Sequence, residues 1–373
     1  MAEITAITMP KWGLTMTEGK VLGWLKGEGE DYRAGDELVE IETSKITNVF
    51  EAGEAGRLRR IVAAEGATLP IGALLAVAAP ASVPDPEIDA FVAGFVAPEP
   101  AAAEETQQAP ATRDIAAGDY RLRVLELGSG AVPIIFIHGF GADLNTWMFN
   151  QPALAEHDRT IAFDLPGHGG SSKALKGPVD GASFAADLDR LLAALGVERV
   201  HLVGHSMGGA IALHFVSWQP ARVASVTLIA SAGLGEEING AFIAGFVKME
   251  RRREAQDVLR LLVHDPASVS RQMIEDVLRY KRLDGVPAAL AALAAEWFPN
   301  GLQRMGLEFL TEAPQVPTQI IWGRDDRIIP VAHGEKLAGR LPVHIIDGAG
   351  HLPHMEKAGE VNRLLAAFIG ANA

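Results

Sequence analysis

The stretch Gly204-His205-Ser206-Met207-Gly208 decides the fold of the larger part of this chain. It follows the apolar run 200–203 and precedes a small and then apolar segment, 209–213, which predicts a strand, a sharp turn and a helix in that order. Gly-x-Ser-x-Gly in this setting is typical of a nucleophile elbow, in which glycines flank the serine because the turn leaves no room for side chains. The helix amides that follow favour developing negative charge. We therefore expect Ser206 to be a catalytic nucleophile.

The composition limits the possible classes of protein. The chain has 373 residues, of which 48% are hydrophobic and 21% are charged, so we expect two or three domains with sizeable cores. The net charge of −14 argues against nucleic acid or an anionic membrane as a partner. Because there is no cysteine, disulfides, thiolate metal sites and a cysteine nucleophile are excluded, and we predict no metal site. The first residues do not resemble a signal peptide, and we expect a soluble cytoplasmic protein.

The first eighty residues contain an internal repeat. Short segments broken by glycine recur thirty-seven residues apart, and this spacing predicts two similar all-β halves in a small barrel or sandwich. The repeated pairs are Gly19 and Gly56, Glu28-Gly29 and Glu65-Gly66, Gly35 and Gly72, and Leu38 and Leu75.

Between the two halves, the segment 38–50 alternates apolar and polar residues on both sides of Lys45, which predicts a hairpin with Lys45 at its tip. With Met9-Pro-Lys-Trp-Gly13, the region 2–79 resembles the lipoyl domain of 2-oxo-acid dehydrogenase complexes. The resemblance implies lipoate attached to Lys45. Ser44 departs from the aspartate that most often precedes this lysine in the family. A biotin carrier is the alternative, although its lysine usually lies between methionines.

Residues 80–117 are rich in Ala, Pro, Glu and Gln and predict a flexible linker. One segment differs, because 86–96 places apolar residues on one face of a short amphipathic helix. Asp85 is expected to cap this helix, with Pro86 at its first position. Such a helix needs a docking surface, and we expect it to anchor the chain either to a partner or to the second domain.

From residue 118 to residue 371, apolar strands alternate with helical segments, which predicts a mostly parallel sheet covered on both faces. The loop His138-Gly-Phe-Gly141 follows the first buried strand. We expect the backbone N–H groups of Phe140 and Met207 to form an oxyanion hole. The helical insertion at about 234–314 predicts a cap over the site.

Two further strands precede the segments 323–330 and 348–356, which supply carboxylates and histidines at the edge of the sheet that holds Ser206. Residues 120–370 resemble the α/β-hydrolase family, where the acid and then the histidine follow the serine. The family spacing favours Asp326 over Asp325 as the acid, and the flanking glycine favours His351 over His354 as the base. The predicted triad is therefore Ser206, Asp326 and His351.

Other polar groups are predicted to be structural. Asp164 and His168 have suitable chemistry but precede the serine. The arginine run within 248–253 is interpreted as a solvated helix face, with the phosphates of coenzyme A as the alternative contact. The histidines without a partner pattern are also assigned structural or surface roles; they are His138, His201, His205, His214, His264 and His344.

As a whole, the chain resembles the acyltransferase component of the acetoin dehydrogenase complex, in which a lipoyl domain precedes an α/β-hydrolase domain. The resemblance implies acetoin catabolism, with acetyl transfer from S-acetyl-dihydrolipoyl-lysine to coenzyme A. It also implies a thiamine-dependent acetoin-cleaving component and dihydrolipoamide dehydrogenase as partners, and an oligomer. The His-x-x-x-Asp-Gly site of other complex acyltransferases is missing, because His344-Ile-Ile-Asp-Gly348 is one residue short. A carrier-tethered thioesterase or esterase, and a carrier with a purely structural second domain, are the alternatives.

Overall fold

A computed structural model of the chain describes residues 4–10, 12, 16–43, 47–96, 111–303 and 316–373. These residues form two compact units, Met1–Ala109 and Pro110–Ala373. The first unit is all-β with one helix, and the second alternates strands and helices, so the predicted fold class is confirmed.

The first unit consists of two four-stranded antiparallel sheets with strand orders β1-β8-β6-β3 and β5-β4-β2-β7. The thirty-seven-residue repeat relates them, because it maps β2 onto β6, β3 onto β7 and β4 onto β8, and each sheet order then becomes the other. The predicted two-fold repeat is thus confirmed. The strands are β1 (Thr5–Thr8), β2 (Glu18–Trp24), β3 (Asp31–Tyr32), β4 (Glu37–Glu42), β5 (Thr47–Glu51), β6 (Gly56–Ile61), β7 (Thr68–Pro70) and β8 (Leu74–Ala78).

The repeated glycines occupy equivalent turns in the two halves. Gly35 and Gly72 have φ angles of 85° and 80°, in the left-handed region that glycine adopts without strain. Fully buried side chains from both sheets, among them Leu38, Leu58 and Leu75, form the core between them. The sequence repeats because both halves need glycine at the same turns and apolar residues at the same core positions.

Lys45 belongs to the connection between β4 and β5 and lies outside the described residues. These two strands pair antiparallel, and Glu42 lies opposite Thr47. Consecutive strands paired in this way form a hairpin. The strand framework is therefore the one that the sequence predicts around Lys45.

The helix of the predicted linker, α1 (Asp85–Gly94), packs on the first unit itself. Ile88 is fully buried against Val77, Ala79 and Val83. This docking differs from the two expected partners, and the cause is a local apolar patch beside β8. Within the predicted linker, residues 97–110 lie outside the described residues.

The start of this helix also differs from the expectation. Pro84 is the N-cap residue, and Asp85 makes no cap hydrogen bond. The Asp85 carboxylate instead accepts a hydrogen bond from Arg59 at 2.7 Å, and Asp89 pairs with Arg60 on the next turn. The ion pairs to β6 compete with capping and orient the helix on the sheet.

Ile88→Ala in the full chain is expected to reduce the local stability of the first unit by about 2–5 kcal/mol, because it leaves a cavity between α1 and β8. Hydrogen exchange followed by mass spectrometry would measure this loss in peptides from β8. Val96→Ala is the matched control, since Val96 is 81% exposed. Equal protection of β8 in both variants would contradict the packing of α1.

The second unit contains an eight-stranded sheet of order β16-β15-β14-β13-β11-β12-β10-β9. β9 and β10 are antiparallel to their neighbours and the other strands are parallel. Because β9 begins at Arg113, the unit starts earlier than the predicted residue 118. The strands are β9 (Arg113–Ala117), β10 (Tyr120–Leu127), β11 (Ile134–Ile137), β12 (Thr160–Phe163), β13 (Val200–His205), β14 (Val223–Ile229), β15 (Thr318–Gly323) and β16 (Val343–Ile346).

Helices cover this sheet, and four of those within the described residues lie between β14 and β15, where the cap is predicted. Residues 304–315 of this insertion lie outside the described residues. No helix within the described ranges is both long and apolar enough to cross a membrane. The helices are α2 (Gln151–Leu154), α3 (Gly181–Ala194), α4 (Met207–Trp218), α5 (Gly240–Lys248), α6 (Arg252–Leu259), α7 (Arg271–Lys281), α8 (Val286–Trp297), α9 (Ala332–Glu335), α10 (Pro353–Glu356) and α11 (Ala358–Gly370).

Candidate active site

Ser206 lies at the turn between β13 and α4, with φ 53° and ψ −121°. This backbone conformation is strained for a residue with a side chain and is the geometry of a nucleophile elbow. A Cβ at Gly208 would lie 2.2 Å from the Ile137 carbonyl oxygen, and a Cβ at Gly204 would lie 2.5 Å from the Gly208 oxygen. The two glycines are therefore required by close backbone contacts on both sides of the serine.

His351 and Asp326 form a buried pair, with 2.8 Å between Nδ1 of the histidine and Oδ2 of the aspartate. The same oxygen accepts a hydrogen bond from Trp322 Nε1 at 3.0 Å, and Oδ1 accepts the backbone N–H groups of Ile328 and Ile329. These donors hold the carboxylate in one orientation. Asp326 is thus placed to fix the tautomer and the ring orientation of His351.

Asp325 lies beside this pair but does not join it. Its exposed carboxylate contacts Nδ1 of His264 at 2.7 Å. Successive residues in this loop thus point in different directions, one towards the buried histidine and one towards the surface. The structure brings Asp326, and not its neighbour, to His351.

The histidine loop lies directly beside the serine turn. The His351 carbonyl oxygen is 2.8 Å from Nε2 of His205, the residue that precedes Ser206, and the two rings are 4.8 Å apart. The carboxyl ends of neighbouring parallel strands meet at one edge of the sheet, and β13 and β15 are separated there by β14 alone. All three predicted triad residues are therefore at the same edge.

The loop after β11 passes next to the serine. A Cβ at Gly139 would lie 3.0 Å from the Cβ of Ser206, so Phe140 follows at the expected place for an oxyanion loop. Met207 is the first residue of α4, where backbone N–H groups have no intrahelical acceptor. Both predicted oxyanion donors thus belong to segments adjoining Ser206.

Two buried histidines hold this loop. His138 Nε2 accepts the N–H of Leu165 at 3.0 Å, and His168 Nε2 accepts the N–H of Gly141 at 3.1 Å. The Nδ1 atoms are 2.8 Å from the Gly139 carbonyl and 3.1 Å from the Pro166 carbonyl, which makes them the protonated nitrogens. Burial lowers the pKa of both histidines, that of His168 strongly. Both histidines are therefore neutral groups that position the loop, and neither is placed to act as a general base.

Asp164, the other early candidate, belongs to a separate buried network. It pairs with Arg123 at 2.5 Å and accepts the backbone N–H groups of Leu144 and Gly170 at 2.8 and 2.6 Å. These contacts tie β10 and the loops after β11 and β12 together. Asp164 therefore holds in place the connection after β11, which contains the predicted oxyanion loop.

The rings of His354 and His205 contact each other at a tilted angle beside His351, with 4.6 Å between their centroids. Burial, followed by the nearby His351, lowers the pKa of His354 to about 3. Burial also lowers the pKa of His205 well below its usual value. His354 Nε2 lies 3.1 Å from the Thr146 hydroxyl. Both rings remain uncharged near neutral pH and do not compete with His351 for the aspartate.

The remaining histidines lie outside this cluster. His201 contacts the Ser225 hydroxyl at 2.8 Å, and the His214 ring lies where a side chain on Gly181 would extend. His344 belongs to β16.

The cap contributes aromatic side chains to the oxyanion loop. The ring of Phe140 packs edge-on against those of Phe246 and Phe298, each 5.7 Å away. Lys281 is buried and donates hydrogen bonds to carbonyls at the C-terminal end of α5, including that of the C-cap residue Met249 at 2.7 Å, which fixes the helix carrying Phe246. Sequence reasoning missed these contacts, because α5 and α7 are joined only through tertiary packing. The single signal was a lysine in the last turn of an amphipathic helix.

Asp326→Asn is expected to slow the labelling of Ser206 by a fluorophosphonate probe by about 10³–10⁴-fold, because an amide no longer selects the reactive histidine tautomer. Mass spectrometry of the labelled protein over time would measure the rate. Asp325→Asn is the matched control and is expected to label within about two-fold of the native rate, since an exposed ion pair contributes little. A slower reaction in the control than in Asp326→Asn would contradict the assignment of the acid.

Comparisons with known proteins agree with this organisation. Residues 5–77 match the family model described as biotin-requiring enzyme, and residues 132–358 match the alpha/beta hydrolase fold. A dihydrolipoyllysine-residue acetyltransferase component of the acetoin cleaving system from Pseudomonas putida is 46% identical over 99% of both chains. The protein of the same description from Cupriavidus necator is 44% identical over 98% of both.

The similarity to solved structures concerns the second unit. A meta-cleavage product hydrolase from Pseudomonas fluorescens IP01 covers 70% of this chain and is itself covered to 98%, with a TM-score of 0.65 and 22% identity. At this identity the match shows the fold alone. It supports an α/β-hydrolase fold for the second unit.

Proposed function

The chain belongs to the family of dihydrolipoyllysine-residue acetyltransferase components of acetoin cleaving systems, and from this premise we propose that it transfers an acetyl group from a dihydrolipoyl thioester to coenzyme A. The family is one of acyltransferases. The observation that carries the proposal is the buried pair of His351 and Asp326 beside the strained Ser206 turn. A site of this kind performs acyl transfer through an acyl-serine.

The carrier unit supports lipoate on Lys45. Its two symmetric sheets match a biotin or lipoyl family model, and β4 and β5 form the hairpin whose connection contains Lys45. Amide-linked lipoate would supply a thiol on a long arm, which holds the acetyl group as a thioester. The part of the chain between α1 and β9 is the tether that sets the effective concentration of this arm at Ser206.

In the first half of the reaction, His351 accepts the hydroxyl proton of Ser206 while the serine oxygen bonds to the acetyl carbonyl carbon. The N–H groups of Phe140 and Met207 stabilise the oxyanion. The carbon–sulfur bond then breaks, and His351 returns the proton to the departing sulfur. Asp326 stabilises the imidazolium throughout, and acetyl-Ser206 is the product.

In the second half, the thiol of coenzyme A gives its proton to His351, and its sulfur bonds to the acetyl carbon. The ester bond to Ser206 breaks, and His351 returns the proton to the serine oxygen. Water can perform the same step, so transfer requires its exclusion. The packing of Phe246 and Phe298 on Phe140 supports this, because it covers the oxyanion loop with apolar side chains.

The family description places its members in a multicomponent acetoin cleaving system. We propose that the partners of this chain are a thiamine-dependent acetoin-cleaving component, which would acetylate the lipoyl arm, and dihydrolipoamide dehydrogenase, which would reoxidise it. Reconstitution of acetoin-dependent acetyl-CoA formation from the three proteins would test this, and full activity without either partner would contradict it.

Lipoylated chain acetylated on its dithiol is expected to form acetyl-CoA when coenzyme A is added, and Ser206→Ala is expected to lose this reaction by at least about 10³-fold. Mass spectrometry of both the protein and the small molecules would follow the acetyl group. Lys45→Arg is the control for loading and should carry no acetyl group on the carrier unit. Release of acetate at the same rate with and without coenzyme A would instead identify a thioesterase, and equal acetyl-CoA formation by Ser206→Ala would exclude the triad.

A further inference from the structure

One segment of the cap, Leu262–His264, leaves the helical layer and runs against the histidine loop. The Leu262 carbonyl accepts the backbone N–H of His351 at 2.8 Å. A Cβ on Gly350 would lie 2.8 Å from the Leu262 oxygen and 2.9 Å from the backbone nitrogen of His264. The two backbones are therefore in direct contact immediately before the predicted base.

Glu356 joins these two backbones through one carboxylate. Its Oε1 accepts the N–H of Gly350 at 2.8 Å, and its Oε2 accepts the N–H of His264 at 2.6 Å. The residue ends α10, which follows the histidine loop directly. Each oxygen thus serves a different segment, one in the histidine loop and one in the cap.

This carboxylate is placed where ionisation is unfavourable. Burial raises the pKa of Glu356, against the opposing effect of the backbone N–H groups that it accepts. A buried charge held by hydrogen bonds often contributes little net stability compared with an apolar residue. The two hydrogen bonds therefore indicate that Glu356 orients the histidine loop relative to the Leu262–His264 segment.

We propose that Glu356 is a positioning residue that fixes the backbone of His351 and couples the cap to it. The His351 carbonyl is held by His205 and its N–H by Leu262, so the imidazole direction follows the Leu262–His264 segment. Glu356 keeps that segment in place. The inference rests on the proposed role of His351 as base, and it does not depend on whether the acyl acceptor is coenzyme A or water.

Glu356→Gln tests this with a side chain of the same shape. The amide accepts through one oxygen only and presents its own N–H₂ to the second backbone N–H, so one of the two links is lost. We expect kcat for p-nitrophenyl acetate and the rate of fluorophosphonate labelling of Ser206 to fall by about 10–100-fold, as for a small misplacement of a catalytic group. KM is expected to change by less than about two-fold, since substrate contacts are retained.

The readout specific to positioning is the downfield proton NMR signal of the His351 Nδ1–H, which is hydrogen-bonded to Asp326. It is expected to shift or broaden in Glu356→Gln and to vanish in His351→Gln, which assigns it. Glu254→Gln is the control for the same substitution within the cap. Glu254 accepts the backbone N–H groups of Glu250 at 3.0 Å and Arg251 at 3.2 Å through the single oxygen Oε2, so the amide oxygen can keep both bonds.

Native kcat and an unchanged NMR signal in folded Glu356→Gln would overturn the proposal. So would an equal loss in Glu254→Gln, which would show general destabilisation of the cap. If Glu356→Gln does not fold, Glu356→Asp replaces it, since the shorter carboxylate keeps its charge but loses the reach to both segments. Failure of the native protein to label at Ser206 would refute the proposed triad, whereas native labelling with no effect at Glu356 would refute this inference alone.

Discussion

The strained backbone of Ser206 is the constraint on which the second unit depends. A left-handed φ between a strand and a helix requires glycine on both sides, and here the clashes that a side chain would cause are with the backbone of β11 and of α4 itself. Adjacent strands must therefore hold their positions closely. The Ser206 N–H is bonded to the Ile229 carbonyl at the end of β14, which ties the turn to the next strand. The Ser206 turn therefore constrains the packing of the strands at this edge of the sheet, and those strands in turn hold the turn in place.

The first unit is organised by symmetry, and Lys45, the proposed site of lipoate attachment, lies in the connection between its two halves. The repeat maps three strands of one half onto the other at a constant offset, but β5 begins later after β1 than the repeat predicts. The difference arises because the β5–β6 connection, 52–55, is shorter than the β1–β2 connection, 9–17. Lys45 belongs to the β4–β5 connection, which joins the two halves. The equivalent position in the other half is Ser82, where the chain leaves β8 towards α1. Of these two equivalent connections, one joins the halves and contains Lys45, and the other leads from β8 to α1.

Local patterns predicted what depends on neighbours in the sequence. The elbow glycines, the buried strands and the spacing of Asp326 before Pro330 each follow from short-range requirements, and the structure places the corresponding residues together. Contacts between distant segments left no such pattern. Three such contacts depend on packing that only the folded chain defines. They are the packing of Ile88 against β8, the hydrogen bonds from Lys281 to the end of α5, and the hydrogen bonds that Glu356 accepts from two separate segments. The predicted linker, 80–117, includes α1, which packs on β8, and β9, which begins at Arg113, because composition alone does not show which short segments find a packing partner.

The cap contacts both the predicted oxyanion loop and the loop of the predicted base, and this arrangement bears on the choice between transfer and hydrolysis. Phe246 packs on Phe140 of the predicted oxyanion loop, while the Leu262 carbonyl accepts the backbone N–H of His351, the predicted base. A Ser-His-Asp site by itself does not distinguish a thiol from water, since the triad activates either in the same way. Discrimination must come from what surrounds the acyl-serine. Phe246 and the Leu262–His264 segment, which contact these two loops, are therefore groups through which the cap can bear on that discrimination.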